Sequence, residues 1–443
     1  MHSAVVGAER IDHGTMRTIN LALLLGALRS EPISRAELSR RTHLSKASIT
    51  NLAAELAARG LVREGSPDRN GTVGRPGTML TLEGARVCGV GLEINAEYLA
   101  VCVVDLCGTV LYDRAQPFDV ASLPISDVLD EVAGIMRDTL EQLHSARRHV
   151  AQVMVSAPGV IKQPAGTVHL ASNLGWRDVP LRSQLLQRLD ADISLQVEND
   201  AKLAAVAEYR RYEDSDVRDL VYLSGDIGVG AGIIAAGQLM RGWSGFSGEV
   251  GHLHLDPRNL PCHCGRTGCW EARVGLPEFL AHTGDRLGAQ PIDRLLTQIQ
   301  DRATRGDQQV LNALDDLATS LAEGLSVVID MLNPRVVVLG GYFSWFTDFL
   351  IPPIAADLTA RRLDPGAGAL LAGAQLGMVS SAHGAALTAL DSVFVNPLSV
   401  PQCWRHHLLF LKHQAPNPGP TARRALTVAR PHVIFSAEHE HLS

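Results

Sequence analysis

The sequence lacks the long hydrophobic runs of a membrane protein. The apolar stretch at residues 21–28 is far shorter than the ~20 residues of a membrane-spanning helix. Residues 1–14 lack the basic segment and following apolar segment of a secretory leader. The seven cysteines are odd in number, with three in one short loop, which does not suit a disulfide framework. We therefore expect a cytoplasmic protein that does not associate with a membrane.

An excess of positive charge is also lacking. The net charge is −7, which argues against non-specific nucleic-acid binding by the whole chain. Residues 1–84, however, carry eleven basic and eight acidic residues, a net charge of +3. Any contact with DNA is therefore expected from this segment. The 443 residues, of which 46 % are hydrophobic, are enough for two to three globular domains.

The first 84 residues have the pattern of a winged helix-turn-helix. Apolar spacing predicts a helix over 15–30, and Ser34 is placed to cap a short second helix. A three-residue turn leads to a third helix over 46–59, which Gly60 ends. The recognition helix of such a unit lies in the major groove of DNA. The alternative is a three-helix domain that binds a protein partner.

Candidate DNA contacts lie at the start of the third helix and in the wing. Residues 61–64 and 78–82 predict the two strands of a hairpin wing. The side chains expected to contact double-stranded DNA are Lys46, Ser48, Thr50, Asn51 and, in the wing loop, Arg75.

One histidine and three cysteines in a compact run predict a metal site. His252 is followed after nine residues by Cys262, after one more by Cys264 and after four more by Cys269. One imidazole and three thiolates are the ligand set of a closed, tetrahedral structural zinc site. Glycines in the loop allow sulfurs so close in sequence to converge. Three unrelated buried thiols are the alternative.

Two carboxylates flank this loop. Glu249 lies three residues before His252, and Glu271 lies two residues after Cys269. Folding of the loop is therefore expected to bring both carboxylates beside the histidine. Carboxylates accept hydrogen bonds from vicinal hydroxyls, and the second nitrogen of a metal-bound histidine offers one more contact. Such a pocket suits a polyhydroxylated ligand.

These motifs resemble the ROK family, which groups sugar-responsive repressors with sugar kinases. The resemblance rests on GEVGH (248–252), CHCGRTGCWE (262–271) and the glycine-rich SGDIGVGAGII (224–234), and it covers roughly residues 85–395. It implies a two-lobed α/β, actin-like (hexokinase/RNase H-like) domain with the sugar in the cleft. It also implies zinc on His252, Cys262, Cys264 and Cys269, and sugar contacts from Asn173, Asn199, Asp200, Glu249, His252 and Glu271.

Asp200 has a second interpretation, because a carboxylate at a helix N-terminus complements the helix dipole. The patterns divide the chain into a winged helix-turn-helix domain at 1–84, a sugar-binding ROK domain with the zinc loop at 85–397, and a tail at 398–443. The tail is rich in His, Pro and Arg and lacks periodicity, so we expect it to be mostly disordered or of incidental origin.

The kinases of the family hold nucleotide phosphates with an Asp-Ile-Gly-Gly-Thr turn, where this chain has EINAE from Glu93 to Glu97. Side chains at Asn95 and Ala96 obstruct the approach of backbone amides to phosphate, and Glu97 repels it. In the second glycine-rich turn, this chain has Asp226 where the kinases of the family usually have a small hydroxyl residue. The sequence therefore predicts a sugar-responsive DNA-binding transcriptional regulator, a repressor of carbohydrate metabolism genes, and no enzyme; an ATP-dependent sugar kinase is the alternative.

The expected partners are a double-stranded DNA operator and a sugar or sugar-phosphate effector. A homodimer or homotetramer would place two recognition helices in successive major grooves, about 34 Å apart. A third hypothesis is that the ROK body acts mainly as a docking surface for a transport protein.

Overall fold

The computed structural model describes residues 13–67, 78–190, 192–213, 215–288, 291–361 and 368–402. Over these residues the chain forms an N-terminal winged helix-turn-helix and two α/β lobes. None of the helices in these ranges combines the length and hydropathy of a membrane-spanning segment. Arg75 in the predicted wing loop and the predicted tail from residue 403 onward lie outside the described residues.

The N-terminal domain has three helices and a small antiparallel sheet. Its elements are α1 (His13–Ala27), β1 (Ile33–Ser34), α2 (Arg35–Thr42), α3 (Lys46–Ala58), β2 (Val62–Pro67) and β3 (Thr78–Leu82), with strand order β1-β3-β2. The Ser34 hydroxyl caps α2 by accepting a 3.2 Å hydrogen bond from the Glu37 amide. Gly60, at φ +69°, follows the end of α3. The predicted winged helix-turn-helix is confirmed.

The first lobe is built on a five-stranded sheet of order β11-β7-β4-β5-β6. Its elements are β4 (Val87–Ile94), β5 (Tyr98–Asp105), β6 (Val110–Pro117), α4 (Ile125–Ser145), β7 (His149–Ala157), β8 (Val160–Lys162), β9 (Thr167–Ala171), β10 (Trp176–Val179), α5 (Leu181–Leu189) and β11 (Leu195–Asn199). Every residue of β4 is buried, because helices and strands cover both faces of the sheet. Trp176 is 2 % exposed and packs in this core.

The second lobe repeats this plan with a five-stranded sheet of order β14-β13-β12-β15-β16. Its strands are β12 (Leu220–Gly225), β13 (Val229–Ala235), β14 (Gln238–Leu239), β15 (Val336–Gly341) and β16 (Leu370–Gly373). The helices of this half of the chain are α6 (Asp200–Tyr209), α7 (Glu271–Val274), α8 (Leu276–Thr283), α9 (Ile292–Thr304), α10 (Gln308–Leu332), α11 (Thr347–Arg361) and α12 (Ser380–Val395). The long amphipathic α10 packs with α8 and α11 over the sheet.

Two helices, α6 and α12, lie where the lobes meet. A side chain at Gly232 of β13 would lie 2.3 Å from the Ala201 carbonyl, so α6 packs tightly on the second sheet. A side chain at Gly91 of β4 would lie 2.1 Å from the Ala382 carbonyl, so α12 packs on the first sheet. The two helices touch each other at Gly384, whose missing side chain leaves room for the backbone of α6.

The chain after α12 returns to the N-terminal domain. Pro397–Ser399 forms a 3-10 turn, and Val400 is 2 % exposed. Arg59 at the end of α3 donates hydrogen bonds to the Leu398 carbonyl, at 3.2 Å, and to the Val400 carbonyl. The boundary predicted at residue 397 therefore falls inside a segment that packs against the DNA-binding domain.

Candidate functional site

A cleft of about 650 Å³ opens between the two lobes. The turn after β7 and the start of α6 line one side, and the turn after β12 and the metal loop line the other. Strand ends in α/β proteins commonly form ligand sites in this way. All six residues predicted to contact a sugar line the cleft: Asn173, Asn199, Asp200, Glu249, His252 and Glu271.

Asn199 and Asp200 are placed by the start of α6. Asn199 is the N-cap, and its side-chain oxygen accepts from the Lys202 amide at 3.0 Å. Its amide group donates to the Gly159 carbonyl at 3.0 Å and to Asp200 Oδ1 at 2.9 Å. Asp200 Oδ1 also accepts from the Ala201 amide, at 2.8 Å. Asn199 therefore holds the cleft wall and one oxygen of Asp200, and Asp200 Oδ2 can accept from a ligand.

Carboxylates crowd the cleft, and burial makes their ionisation costly. Burial raises the pKa of Asp200 to about 6, with Asp226 adding to the effect. Burial also raises the pKa of Glu249 to about 7, while Lys202 opposes the shift. Asp226 itself has a raised pKa, again through burial. The cleft therefore offers many hydrogen-bond acceptors, and an additional negative charge in it would be unfavourable.

A buried lysine supports one side of this cleft. Lys202 is 2 % exposed, and its Nζ donates a 2.6 Å hydrogen bond to the Gly245 carbonyl, just before the GEVGH segment. Its charge also acts on Glu198 and Glu249. The sequence did not identify this residue, because a lysine in a helix usually lies on the exposed face. Lys202 joins α6 to the loop that carries Glu249.

The predicted metal ligands converge. One ligand atom from each of His252, Cys262, Cys264 and Cys269 lies within 4.8 Å of the others, so this cluster could hold a metal ion. His252 Nδ1 is 3.8 Å from Cys262 Sγ, and Cys264 Sγ is 3.7 Å from Cys269 Sγ. His263 lines the cleft and is not part of the cluster.

The loop around the cluster is shaped by glycine and by donors to sulfur. Gly265 and Gly268 adopt φ of +88° and +72°, and a side chain at Gly268 would lie 2.2 Å from the His254 ring. The Cys264 amide lies 3.5 Å from Cys262 Sγ, and Arg266 Nε donates to Cys264 Sγ at 3.5 Å. Donors of this kind stabilise thiolates, the form that binds metal.

Glu271 connects the cluster with the cleft. Its Oε1 lies 3.2 Å from Cys262 Sγ, and its Oε2 accepts a 3.0 Å hydrogen bond from the Val229 amide. Glu249 Oε2 lies 3.9 Å from His252 Nε2, the ring nitrogen opposite the cluster. The loop thus holds both carboxylates beside the histidine, as the sequence predicted.

The two turns that would hold nucleotide phosphates are joined directly. Asn95, between β4 and β5, donates a 3.0 Å hydrogen bond to Asp226, between β12 and β13. Glu97 follows in the first turn, and burial and Asp226 raise its pKa. Sequence reasoning identified each of these side chains as an obstacle to phosphate, but it missed the bond between them. They come from different sheets, and no local pattern relates them.

The predicted DNA-reading residues lie on the N-terminal half of α3. Lys46, Thr50 and Asn51 are exposed, and Ser48 is half-buried. The Ser48 hydroxyl lies 2.9 Å from that of Ser45, which caps the helix. Ile49, Leu52 and Leu56 cover the opposite, buried face. The helix therefore presents a polar face to solvent, as a recognition helix does.

Comparison with known proteins identifies the family. The profile of the ROK family matches residues 89–392. This chain belongs to the ROK family. The MarR family profile matches residues 20–71, which contain the helix-turn-helix of this ROK protein.

Its relatives include both regulators and kinases. The xylose repressor of Caldicellulosiruptor bescii is 28 % identical over 365 residues, 79 % of this chain and 90 % of that protein. A crystal structure of a ROK family transcriptional regulator, a homologue of the E. coli MLC protein, has the same fold, with TM-score 0.72 and 24 % identity over 87 % of this chain and 99 % of that chain. A ROK family glucokinase from Streptomyces griseus, in complex with glucose and AMPPNP, covers 69 % of this chain and 99 % of its own, with 25 % identity and TM-score 0.58.

Proposed function

We propose that a sugar bound in the cleft controls the DNA binding of this ROK-family transcriptional repressor. One observation carries the proposal: the same chain combines a winged helix-turn-helix with a ligand cleft. The recognition helix has an exposed polar face, and the cleft is lined by carboxylate, amide and imidazole groups. The regulated genes are those of carbohydrate use, as the name of the xylose repressor relative suggests. A cytoplasmic location fits a repressor that binds DNA.

The sugar hydroxyls are bound by acceptors. Asp200 Oδ2, Glu249 and Glu271 accept hydrogen bonds from hydroxyls, and Asn173 and His252 add contacts from the two sides of the cleft. Asn199 acts mainly by holding Asp200, because both of its amide donors are used within the protein. A neutral sugar suits the cleft better than a sugar phosphate, since a phosphate would face Asp200, Asp226 and Glu249.

The metal cluster holds a structural zinc ion through His252, Cys262, Cys264 and Cys269. One nitrogen and three sulfur ligands leave no open position for catalysis at a tetrahedral ion. Zinc would fix the loop that carries Glu249 and Glu271, so its effect on sugar binding is through position. The donor set fits this metal, because soft thiolates with an imidazole favour zinc over magnesium or calcium.

The kinase alternative finds no support in the phosphate turns. Phosphoryl transfer needs backbone amides and cations around the nucleotide phosphates. Here the Asn95–Asp226 bond joins the turns, and Glu97 and Asp226 add negative charge. Asp200, which would be the base toward a sugar hydroxyl, is retained as a binding group.

Fluorescence anisotropy of the full chain on DNA from upstream of its own gene tests the proposal. D-xylose, D-glucose, N-acetyl-D-glucosamine and the phosphates of these sugars would be added singly at fixed salt, because salt changes any protein–DNA affinity. We expect specific binding that one sugar alters. Specific binding that responds to none of these sugars or their phosphates would favour the docking hypothesis, and absence of specific DNA binding would contradict the repressor function.

We also infer that the protein assembles with two-fold symmetry. A homodimer, or a homotetramer formed from two dimers, places two copies of α3 in successive major grooves about 34 Å apart. Closure of the lobes around sugar would then alter the spacing or orientation of the two copies. A ligand can shift this equilibrium only through its different affinity for the two states.

A further inference from the structure

One carboxylate joins three parts of the molecule. Asp391 Oδ1 accepts a 3.0 Å hydrogen bond from Arg29 Nη2 and a 2.9 Å hydrogen bond from Arg210 Nη2. Asp391 lies in the last turns of α12, Arg29 follows α1 of the DNA-binding domain, and Arg210 follows α6. Both guanidinium groups meet the same oxygen atom, so a shift of either one changes the environment of the other.

Two of the three parts, α12 and α6, are anchored to different sheets. Helix α12 packs on the first sheet, where Gly89 and Gly91 let it approach β4. Helix α6 packs on the second sheet, where Gly232 lets it approach β13. A relative movement of the two lobes must therefore change how α6 and α12 lie against each other. The Arg210–Asp391 pair spans that boundary.

Helix α6 runs from the cleft to this carboxylate. It begins at Asp200, which lines the cleft, and the chain reaches Arg210 ten residues later, a helical length of about 15 Å. A ligand that draws Asp200 toward the opposite wall would tilt α6 and displace Arg210. The sugar site and Asp391 are thus connected through one rigid element.

Arg29 ties the DNA-binding domain to the far end of α12. Its guanidinium carbon lies 4.4 Å from the centre of the Phe394 ring, one helical turn after Asp391. Leu28, beside it, shares a buried cluster with Leu390 and Val393 of α12 and with the apolar face of α3. Burial and the nearby charge of Arg210 lower the pKa of Arg29, while Asp391 opposes this effect. Asp391 therefore lies at the contact through which α12 holds α1 and α3.

We propose that Asp391 is the positioning residue through which lobe movement at the sugar cleft reaches the DNA-binding domain. In one lobe arrangement Arg210 and Arg29 share its oxygen; in the other, movement of α6 withdraws Arg210, and Arg29 keeps the carboxylate alone. The two arrangements hold α1, and the recognition helix packed on it, in different orientations. This inference rests on the proposed sugar-controlled DNA binding and names its route.

The test measures coupling, defined as the ratio of operator dissociation constants with and without saturating sugar. The operator is the upstream DNA used above, and the sugars are D-xylose, D-glucose and N-acetyl-D-glucosamine. We expect Asp391→Asn to keep the wild-type sugar affinity and a cooperative thermal transition, because partly exposed ion pairs contribute little to stability. We expect its coupling ratio to move toward one by about threefold or more.

Asp357→Asn is the matched control, since Asp357 pairs with Arg361 at 2.8 Å on α11, with similar exposure and away from the DNA-binding domain. Its coupling should equal that of the wild type. If Asp391→Asn does not fold, Arg210→Gln, which leaves the Arg29–Asp391 pair in place and removes the contacts of Arg210 with Asp391 and with its neighbour Glu213, decides the question by the same ratio. Wild-type coupling in these variants overturns the inference alone. A wild-type protein that binds sugar with no effect on DNA binding overturns the proposed function as well.

Discussion

Asn95 and Asp226 form a 3.0 Å hydrogen bond that joins the turn between β4 and β5 to the turn between β12 and β13. Asp226 also accepts from the Ile227 amide at 2.9 Å, so its carboxylate is held on both sides. In a nucleotide-binding relative of this fold, phosphates would lie between two such turns. In this chain a direct bond between side chains connects the lobes at that place.

Removal of this bond is the first prediction. Asn95→Ala should lower the free energy of unfolding by about 1–2 kcal/mol, because a hydrogen bond to a partly buried charge is lost. Urea denaturation measures the change. Asn312→Ala, which removes an exposed hydrogen bond with Gln308 on α10, should change stability by less than about 0.5 kcal/mol. Neither variant should phosphorylate sugar with ATP; turnover by Asn95→Ala would show that the turn is a latent kinase site.

Metal binding should depend on the residues of the cluster and not on a cysteine outside it. Cys264→Ser is expected to lose stoichiometric zinc and the sugar response together, since the loop that holds Glu249 and Glu271 would no longer be fixed. Cys107→Ser, at an exposed thiol outside the cluster, should retain both. Metal content by atomic absorption, with sugar titration in parallel, measures the two effects. A full sugar response in metal-free Cys264→Ser protein would refute a structural role for the ion.

Sugar affinity should decrease in acid. Asp200 accepts hydroxyl donors best when ionised, and its pKa is raised to about 6 by burial. Protonation of Asp200 therefore competes with sugar, and by itself it should make the dissociation constant about fourfold higher at pH 5.5 than at pH 7.5. Protonation of Glu249, whose pKa burial raises to about 7, would add to this increase. The pKa of Asp200 is raised further by Asp226 and lowered by Lys202. The charge of Asp200 in turn raises the pKa of Glu93 and of Glu249.

The control for this prediction is Asp200→Asn. Its sugar affinity should be lower at pH 7.5, and it should lose the part of the pH dependence that belongs to Asp200. Isothermal titration calorimetry at the two pH values separates the cases. A pH profile equal to that of the wild type would mean that another group controls binding.

Substitutions on the exposed face of α3 should distinguish residues that contact DNA phosphates from residues that contact bases. Lys46→Ala is expected to weaken binding to all DNA sequences and to reduce the slope of log affinity against log salt by about one. Asn51→Ala should cost about 1–3 kcal/mol on the operator and relax the preference for one base pair. Lys162→Ala, on β8 of the first lobe, is the control and should leave operator binding unchanged.

The local features of this protein could be predicted from the sequence. The metal ligands span eighteen positions, from His252 to Cys269, so a short loop is enough to bring them together. Ser34, Gly60 and the apolar spacing of α3 act within one or two helical turns, and the structure has those elements as predicted. Resemblance to the ROK family supplied the residues of the cleft, and all six line one cavity.

Only the tertiary structure decided which distant groups meet. Asn95 and Asp226 are 131 positions apart, and Arg29 and Asp391 are 362 positions apart. Periodicity shows that a face of a helix or strand is buried, but it does not identify the surface that covers it. The burial of Lys202 and the meeting of two arginines at one carboxylate depend on how two sheets and two helices pack. A chain's local pattern carries no record of that packing, since it is set by the shape of the whole core.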